Sequence, residues 1–203
     1  MNLVLLAGGK SQRMKRNKLF LPFDQEDTLL GFILQKVVPY FDQVCIVTND
    51  EYRERIEKIV NLSRYSTVST VVDLVPSCGP LGGIYTGLIS ISTSYAFFLA
   101  ADQPFFSIPL IHYLSEQLDS YDAVVPKTNK GFEPLFTLYT QRCLSMIKKM
   151  LDERVFQVSQ LFEMINANVI PAEIIKRYDP GMKSFINVNT ETDYRLLNPT
   201  FFP

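Results

Sequence analysis

Between the first apolar run and residue 18 the chain reads Leu6-Ala7-Gly8-Gly9-Lys10-Ser11-Gln12-Arg13-Met14-Lys15-Arg16-Asn17-Lys18. These residue types suit a polyphosphate. The adjacent glycines Gly8 and Gly9 let backbone N–H groups approach an anion without a Cβ in the way. Arg13 offers a planar two-donor fork and Lys18 a mobile point charge. The spacing is neither that of a Walker A loop nor that of the dinucleotide fingerprint, because Lys10 and Arg13 stand where the latter needs glycine. The plain alternative is a solvated basic loop.

A second stretch, Leu99-Ala100-Ala101-Asp102-Gln103-Pro104-Phe105, ends an apolar run on a carboxylate. Such a group is costly there unless it is solvated, paired or bound to a metal. Beside a phosphate loop its natural partner is Mg²⁺, which prefers carboxylate and phosphate oxygens. A helix N-cap is the structural alternative for Asp102. Asp73 also ends a strand-like run. Gly79-Pro80-Leu81-Gly82-Gly83 would let a helix N-terminus come close to a ligand, although Gly83 and Gly87 fit tight helix–sheet packing equally well.

These residues must be carried by a scaffold, and its pattern is visible. Asn2–Ala7 and Tyr95–Ala101 are continuous apolar runs, the mark of strands buried on both faces. Gln43–Thr48, Ser69–Leu74, Asp122–Val125 and Asn168–Ile170 read as further strands, and Phe132–Tyr139 is β-rich. Thr28–Tyr40 repeats apolar residues at helical spacing. Helices are also expected over Glu51–Val60 with Asp50 as N-cap, and over Leu81–Ser92, Ile108–Leu118, Gln141–Leu151 and Gln157–Ile165. A last helix is expected after Asn189, where Thr190 and Asp193 have capping-box spacing. Alternating strands and helices imply an α/β fold, a mostly parallel sheet covered by helices on both faces in three Rossmann-like layers. Ligands bind such sheets at the carboxyl ends of the strands. The loops after Ala7, Thr48, Leu74 and Ala101 should therefore share one rim.

Composition narrows the classes. A chain of 203 residues is expected to form one domain, residues 1–203, large enough to need no disulfide or metal staple. With 20 Lys+Arg against 21 Asp+Glu, the net charge of −1 gives no general attraction for nucleic acid. Any bound anion must be gripped locally. The longest apolar stretch falls far short of the ~20 residues that cross a bilayer, so no membrane partner is expected. Cys45, Cys78 and Cys143 have no metal or redox spacing and read as free thiols of a cytoplasmic protein. His112 lies away from the rim motifs, and the 15 Phe and 10 Tyr fall at core spacing rather than forming a stacking platform for bases. The apolar end, Pro199–Pro203, could dock on the domain or on another subunit.

The motifs together resemble a known family. The loop Leu6-Ala-Gly-Gly-Lys-Ser-x-Arg-Met with Lys18 is similar to the signature of nucleotidyltransferases with the GT-A-like, Rossmann-type fold. Gly79-Pro-Leu-Gly-Gly, Ala101-Asp-Gln-Pro-Phe, Glu133-Pro-Leu-Phe and Phe185-Ile-Asn-Val-Asn-Thr follow in that order. The set of five resembles the molybdenum cofactor guanylyltransferases and spans residues 3 to about 197. The resemblance implies transfer of GMP from GTP to molybdenum-bearing molybdopterin, with release of pyrophosphate and Mg²⁺ as cofactor. It implies that Leu6, Ala7 and Gly8 contact the nucleotide and Lys18 its phosphates. Thr48 and Asn49 would lie near the nucleoside, Asp73 would contact GTP, and Asp102 would bind GTP and Mg²⁺. Glu133, Asn187 and Asn189 would face the pterin half. It also implies a transient partner, a molybdoenzyme or a cofactor chaperone. Rival acceptors or nucleotides on the same scaffold stay open: CTP with the same pterin, or a sugar phosphate or phospholactate as acceptor. So does a non-catalytic nucleotide-binding module.

This chain departs from the family loop Arg-Met-Gly-x-Asp-Lys, with Lys15 in place of Gly and Asn17 in place of the acid. Asn17 can only hydrogen-bond, so Lys18 is expected to be loosely tethered before a nucleotide arrives.

Overall fold

A computed structural model describes residues 1–8, 18–24, 27–60, 65–188 and 193. The strands are β1 (Asn2–Leu6), β2 (Pro22–Asp24), β3 (Asp27–Thr28), β4 (Val44–Thr48), β5 (Val68–Val72), β6 (Tyr95–Ala100), β7 (Ala123–Thr128), β8 (Gly131–Phe132), β9 (Phe136–Thr140) and β10 (Ala167–Pro171). The α-helices are α1 (Leu29–Val37), α2 (Asp50–Val60), α3 (Pro80–Ser90), α4 (Ile108–Glu116), α5 (Leu144–Asp152), α6 (Leu161–Met164) and α7 (Ala172–Tyr178).

The main sheet runs β10-β7-β9-β6-β1-β4-β5, with β8 paired to β7. Its central block β5-β4-β1-β6 is parallel throughout. Sequence order runs outward from β1 through β4 to β5, then returns to the other side of β1 for β6. The strand order therefore reverses between β1 and β6, the position where open α/β sheets bind ligands. The register Leu6↔Ala100 brings the ends of β1 and β6 level.

Every residue of Leu3–Leu5 and Ala96–Leu99 is fully buried, which is why the runs are apolar without alternation. Alternation reappears in what each side chain touches. Leu3, Leu5, Phe97 and Leu99 join α1, α4, Ile56 of α2 and Ile175 of α7 on one face. Val4, Ala96 and Phe98 join α3, α5 and α6 on the other. Gly87 makes the second layer possible, since a Cβ there would lie 2.6 Å from Val4 Cγ1 and 2.8 Å from Phe98 Cε1.

Four expectations are revised. The β-rich stretch Phe132–Tyr139 is two strands, and β9 runs antiparallel between β6 and β7, so the sheet is mixed outside its parallel centre. Asn49, not Asp50, caps α2, its Oδ1 accepting from Tyr52 N at 3.0 Å. Helix α1 begins one residue late because Thr28 is its cap, accepting from Gly31 N at 3.1 Å. Helix α7 and the β2–β3 hairpin were not foreseen. The helix expected after Asn189 lies outside the described residues apart from Asp193. Cys45 and Cys143 are buried and Cys78 partly so, all as free thiols. Burial pushes Cys45 up to about 11 and Cys143 up to about 12. His112 is exposed on α4. No described helix is long and apolar enough to cross a membrane.

Candidate active site

The strand ends that lead into the loops expected at one rim lie side by side. Ala7 N donates to Val47 O at 2.8 Å, Ala101 N to Leu6 O at 3.0 Å, and Asp73 N to Thr48 O at 2.7 Å. A Cβ on Gly8 would lie 3.8 Å from the Thr48 carbonyl carbon, so exposed Gly8 sits directly beside the β4–α2 turn. Leu6 is half-buried and Ala7 buried. Thr48 is fully buried and its hydroxyl has no hydrogen-bond partner among the described residues, and Asn49 spends its side-chain oxygen on capping α2. These two positions bring mainly backbone to the rim.

Asp102 follows β6 across the switch point from Gly8. No helix starts at Asp102, which sets aside the N-cap alternative. The next helix, α4, is capped by Ser107, whose hydroxyl accepts from Leu110 N at 3.3 Å. Instead Asp102 Oδ2 lies 2.8 Å from Lys18 Nζ. Lys18 also donates to the carbonyl of Val188 at 2.7 Å, and Val188 N donates to the Asp102 carbonyl at 2.8 Å. Lys18 is thus held from two sides, contrary to the expectation of a loose tether. The carboxylate that holds Lys18 lies 84 residues away in the chain. Both side chains keep a solvent-facing part, with relative exposures of 14% for Lys18 and 21% for Asp102.

Asp73 is held differently. Its Oδ1 accepts from Val75 N at 3.1 Å and from the Thr86 hydroxyl at 2.9 Å. Gly79 is the residue before α3 and has φ +63°, a backbone state that favours glycine. Gly83 packs on Leu6, where a Cβ would lie 3.1 Å from Leu6 Cδ2. Close packing is therefore what Gly83 and Gly87 do here.

Glu133 lies on the other flank, beyond β9. It accepts from the Thr128 hydroxyl at 2.9 Å. Burial pushes its carboxyl above the ordinary value, against the opposing pulls of that hydrogen bond and of Lys130. With Lys130, Lys176, Met182, Phe185 and Ile186 it lines a cavity of about 190 Å³. Asn187 is exposed beside it in sequence. Gly9, Arg13 and Asn189, together with Lys15 and Asn17, lie outside the described residues. Among the described residues no group of three or more His, Cys, Asp or Glu could cage a metal, and Asp73 and Asp102 are the two described carboxylates placed at this rim.

The chain matches the MobA-like NTP transferase domain over residues 3–166. It belongs to that family. A probable molybdenum cofactor guanylyltransferase of Clostridium perfringens is 31% identical over 196 residues, covering 94% of this chain and 92% of the relative. One of Methanothermobacter thermautotrophicus is 32% identical over 199 residues, covering 96% and 98%. Among solved structures, molybdopterin-guanine dinucleotide biosynthesis protein A of Archaeoglobus fulgidus superposes with a TM-score of 0.82 at 23% identity, covering 99% of this chain and 98% of that one. That likeness shows the shared fold. The nucleotidyltransferase scaffold expected from the five motifs is thus the one present.

Reading motifs did not find Val188, whose main chain holds both Lys18 and Asp102, or Thr86 and Thr128, which hold Asp73 and Glu133. Val188 acts through backbone groups that any residue has. The two threonines are ordinary residues of α3 and β7, and only the fold shows what they face.

Proposed function

We propose that this protein transfers GMP from GTP to molybdenum-bearing molybdopterin, forming the guanine dinucleotide cofactor and releasing pyrophosphate. The observation that carries the reading is the Lys18–Asp102 pair at the β1/β6 switch point, in a chain of the NTP transferase family with relatives named guanylyltransferases. A phosphate oxygen of the acceptor attacks the α-phosphorus of GTP, and the bond from that phosphorus to the bridging α–β oxygen breaks. The nucleophile is already an anion, so no strong base is needed. Positioning and charge neutralisation carry the reaction.

Each group then has a task. Leu6, Ala7, Gly8 and Gly9 give backbone approach to the nucleotide, and Thr48, Asn49, Asp73 and Gly79 border the nucleoside end. Lys18 and Arg13 offset charge on the departing pyrophosphate. Nucleotide entry sets phosphate oxygens in competition with Asp102 and the Val188 carbonyl for the Lys18 ammonium. Glu133 faces the acceptor from the opposite flank, and Asn187 and Asn189 are assigned to the acceptor half by the family resemblance. Mg²⁺ usually takes one or two carboxylates plus substrate phosphates, and a partly exposed lone Asp102 fits that donor set. When bound there, held by Asp102, it would supply positive charge to offset that of the substrate phosphates. Such a product is consumed by an enzyme that houses it, so the reading includes a transient partner, a molybdoenzyme or cofactor chaperone, in the cytoplasm.

The test is thermal stability with GTP, CTP, ATP or UTP, each with Mg²⁺, followed by pyrophosphate release on adding molybdopterin. A ligand at about 100 times its Kd adds ~2.7 kcal/mol, a shift of ~2–4 °C per kcal/mol at this size. GTP is expected to give the largest shift. A larger one with CTP would replace the guanylyl reading with a cytidylyl one, and binding without pyrophosphate release would make this a binding module.

A further inference from the structure

Asp73 does not stand alone on its rim. Its partner Thr86 is fully buried in the second turn of α3. The Thr86 hydroxyl donates to Asp73 Oδ1 at 2.9 Å and accepts from Leu74 N at 3.0 Å. Asp73 Oδ1 in turn accepts from Val75 N at 3.1 Å. One hydroxyl and one carboxylate oxygen therefore fix the first two peptides after β5. Gly82 closes the cluster from the helix side. A Cβ there would lie 2.6 Å from the Val75 carbonyl oxygen and 3.3 Å from Asp73 Oδ2. The segment so fixed continues through Ser77, at φ +72°, to Gly79 and the start of α3. It borders the nucleotide rim directly, because Asp73 N is bonded to Thr48 O and Gly8 packs on Thr48. Its first side chain, Leu74, is turned outward and is 62% exposed.

We infer that Thr86 is a positioning residue for the nucleotide. It touches no substrate. It sets the Asp73 carboxylate and the 74–79 segment in the one arrangement that completes the nucleoside side of the rim. The inference rests on the proposed nucleotidyl transfer but not on the identity of the base. Removing the hydroxyl leaves Leu74 N–H and Asp73 Oδ1 each one partner short, and the segment must rearrange to find others. The loss falls on nucleotide binding, because Lys18, Asp102 and Glu133 belong to other segments and make no hydrogen bond or ion pair with this cluster among the described residues.

The experiment is steady-state kinetics of Thr86→Val and Thr86→Ser with the nucleotide that the unaltered protein uses, alongside melting without ligand. Thr86→Val should raise KM for the nucleotide by about five- to tenfold, the scale of one or two lost buried hydrogen bonds, with kcat and the acceptor KM within about twofold. Thr86→Ser, which keeps the hydroxyl, should restore the KM. Gly82→Ala gives an independent arm. It crowds the Val75 carbonyl with Thr86 intact, and should raise the same KM even if Thr86→Val does not fold. An unchanged nucleotide KM in Gly82→Ala overturns the inference. So does a loss in Thr86→Val that spreads equally over kcat and both KM values, or a Thr86→Ser that fails to rescue. If the unaltered protein prefers CTP, the guanylyl reading fails while this test still runs with CTP.

Discussion

Two aspartates follow strands of the parallel central block of one sheet, and the chain treats them in opposite ways. Asp102, after β6, is held by a cation, Lys18, that lies 84 residues earlier in the chain. Asp73, after β5, is held by neutral donors, a backbone N–H two residues on and a buried hydroxyl on the next helix. The first arrangement joins distant parts of the chain and can be exchanged. On the proposed reading a metal replaces the ammonium at the carboxylate, and a phosphate replaces the carboxylate at the ammonium. The second is local and closed, and behaves as part of the turn. On the proposed reading, similar residues at similar places serve chemistry in one case and shape in the other, and the partner's charge distinguishes them.

The largest effect should come from removing the charge of Asp102. Asp102→Asn keeps the shape and an acceptor for Lys18. Turnover with Mg²⁺ and GTP should fall by about 10³-fold or more, the scale of losing a preorganised charge contact in a transition state. The melting temperature should stay within a few degrees. Pyrophosphate release assays and melting curves measure both. Turnover near that of the unaltered protein would remove Asp102 from the metal site and leave the pair as a structural ion pair.

Lys18→Ala should follow, with kcat/KM falling about 10²–10³-fold, or ~3–4 kcal/mol at 1.36 kcal/mol per tenfold. The drop should appear in kcat as well as KM, because charge on the leaving pyrophosphate grows toward the transition state. A pure KM effect would instead give Lys18 a ground-state binding role.

The comparison is tested most directly by Asp73→Asn. An amide oxygen can still accept from Val75 N–H and the Thr86 hydroxyl, so activity should stay within severalfold of the unaltered protein. Asp73→Ala removes the oxygen that accepts both hydrogen bonds and should cost ~1–3 kcal/mol of stability, seen as a lower melting temperature. If Asp73→Asn is as damaging as Asp102→Asn, the Asp73 charge is used on the substrate itself and the division drawn here is wrong.

How far the chain could be read follows the same division. The strands that carry the site were legible because burial on both faces leaves continuous apolar runs, as in Asn2–Leu6 and Tyr95–Ala100. Placing Asp102 at a strand end followed from that. The direction of β9 was not legible, since an apolar pattern reports burial and not strand polarity. The Asn49–Asp50 cap was misplaced by one residue because both are good caps and only geometry chooses between them. The tether on Lys18 was hidden further still. It joins residues 84 and 170 positions apart, and half of it is the Val188 main chain.

The smallest effect concerns a third carboxylate, Glu133, on the acceptor flank. Like Asp73 it is paired with a hydroxyl, Thr128, but burial has raised its affinity for a proton. A carboxyl whose folded pKa lies above its unfolded value favours the fold in its neutral form. Stability should therefore rise as pH falls from above the raised value toward the ordinary 4.5. Above that window the ionised group weighs against the fold, and below it the gain is complete. Glu133→Gln is uncharged throughout and keeps an oxygen that can accept from Thr128. The variant should match or slightly exceed the unaltered protein in melting temperature near pH 7, and the difference should close as the pH drops through the window. Melting curves from pH 7.5 to 4.5 would show it. A difference that widens toward low pH would mean that the ionised form is the one the fold prefers, with Lys130 outweighing burial. Glu133 would then belong with Asp102, as a carboxylate held by a cation, and the acceptor flank would have the exchangeable kind of pair.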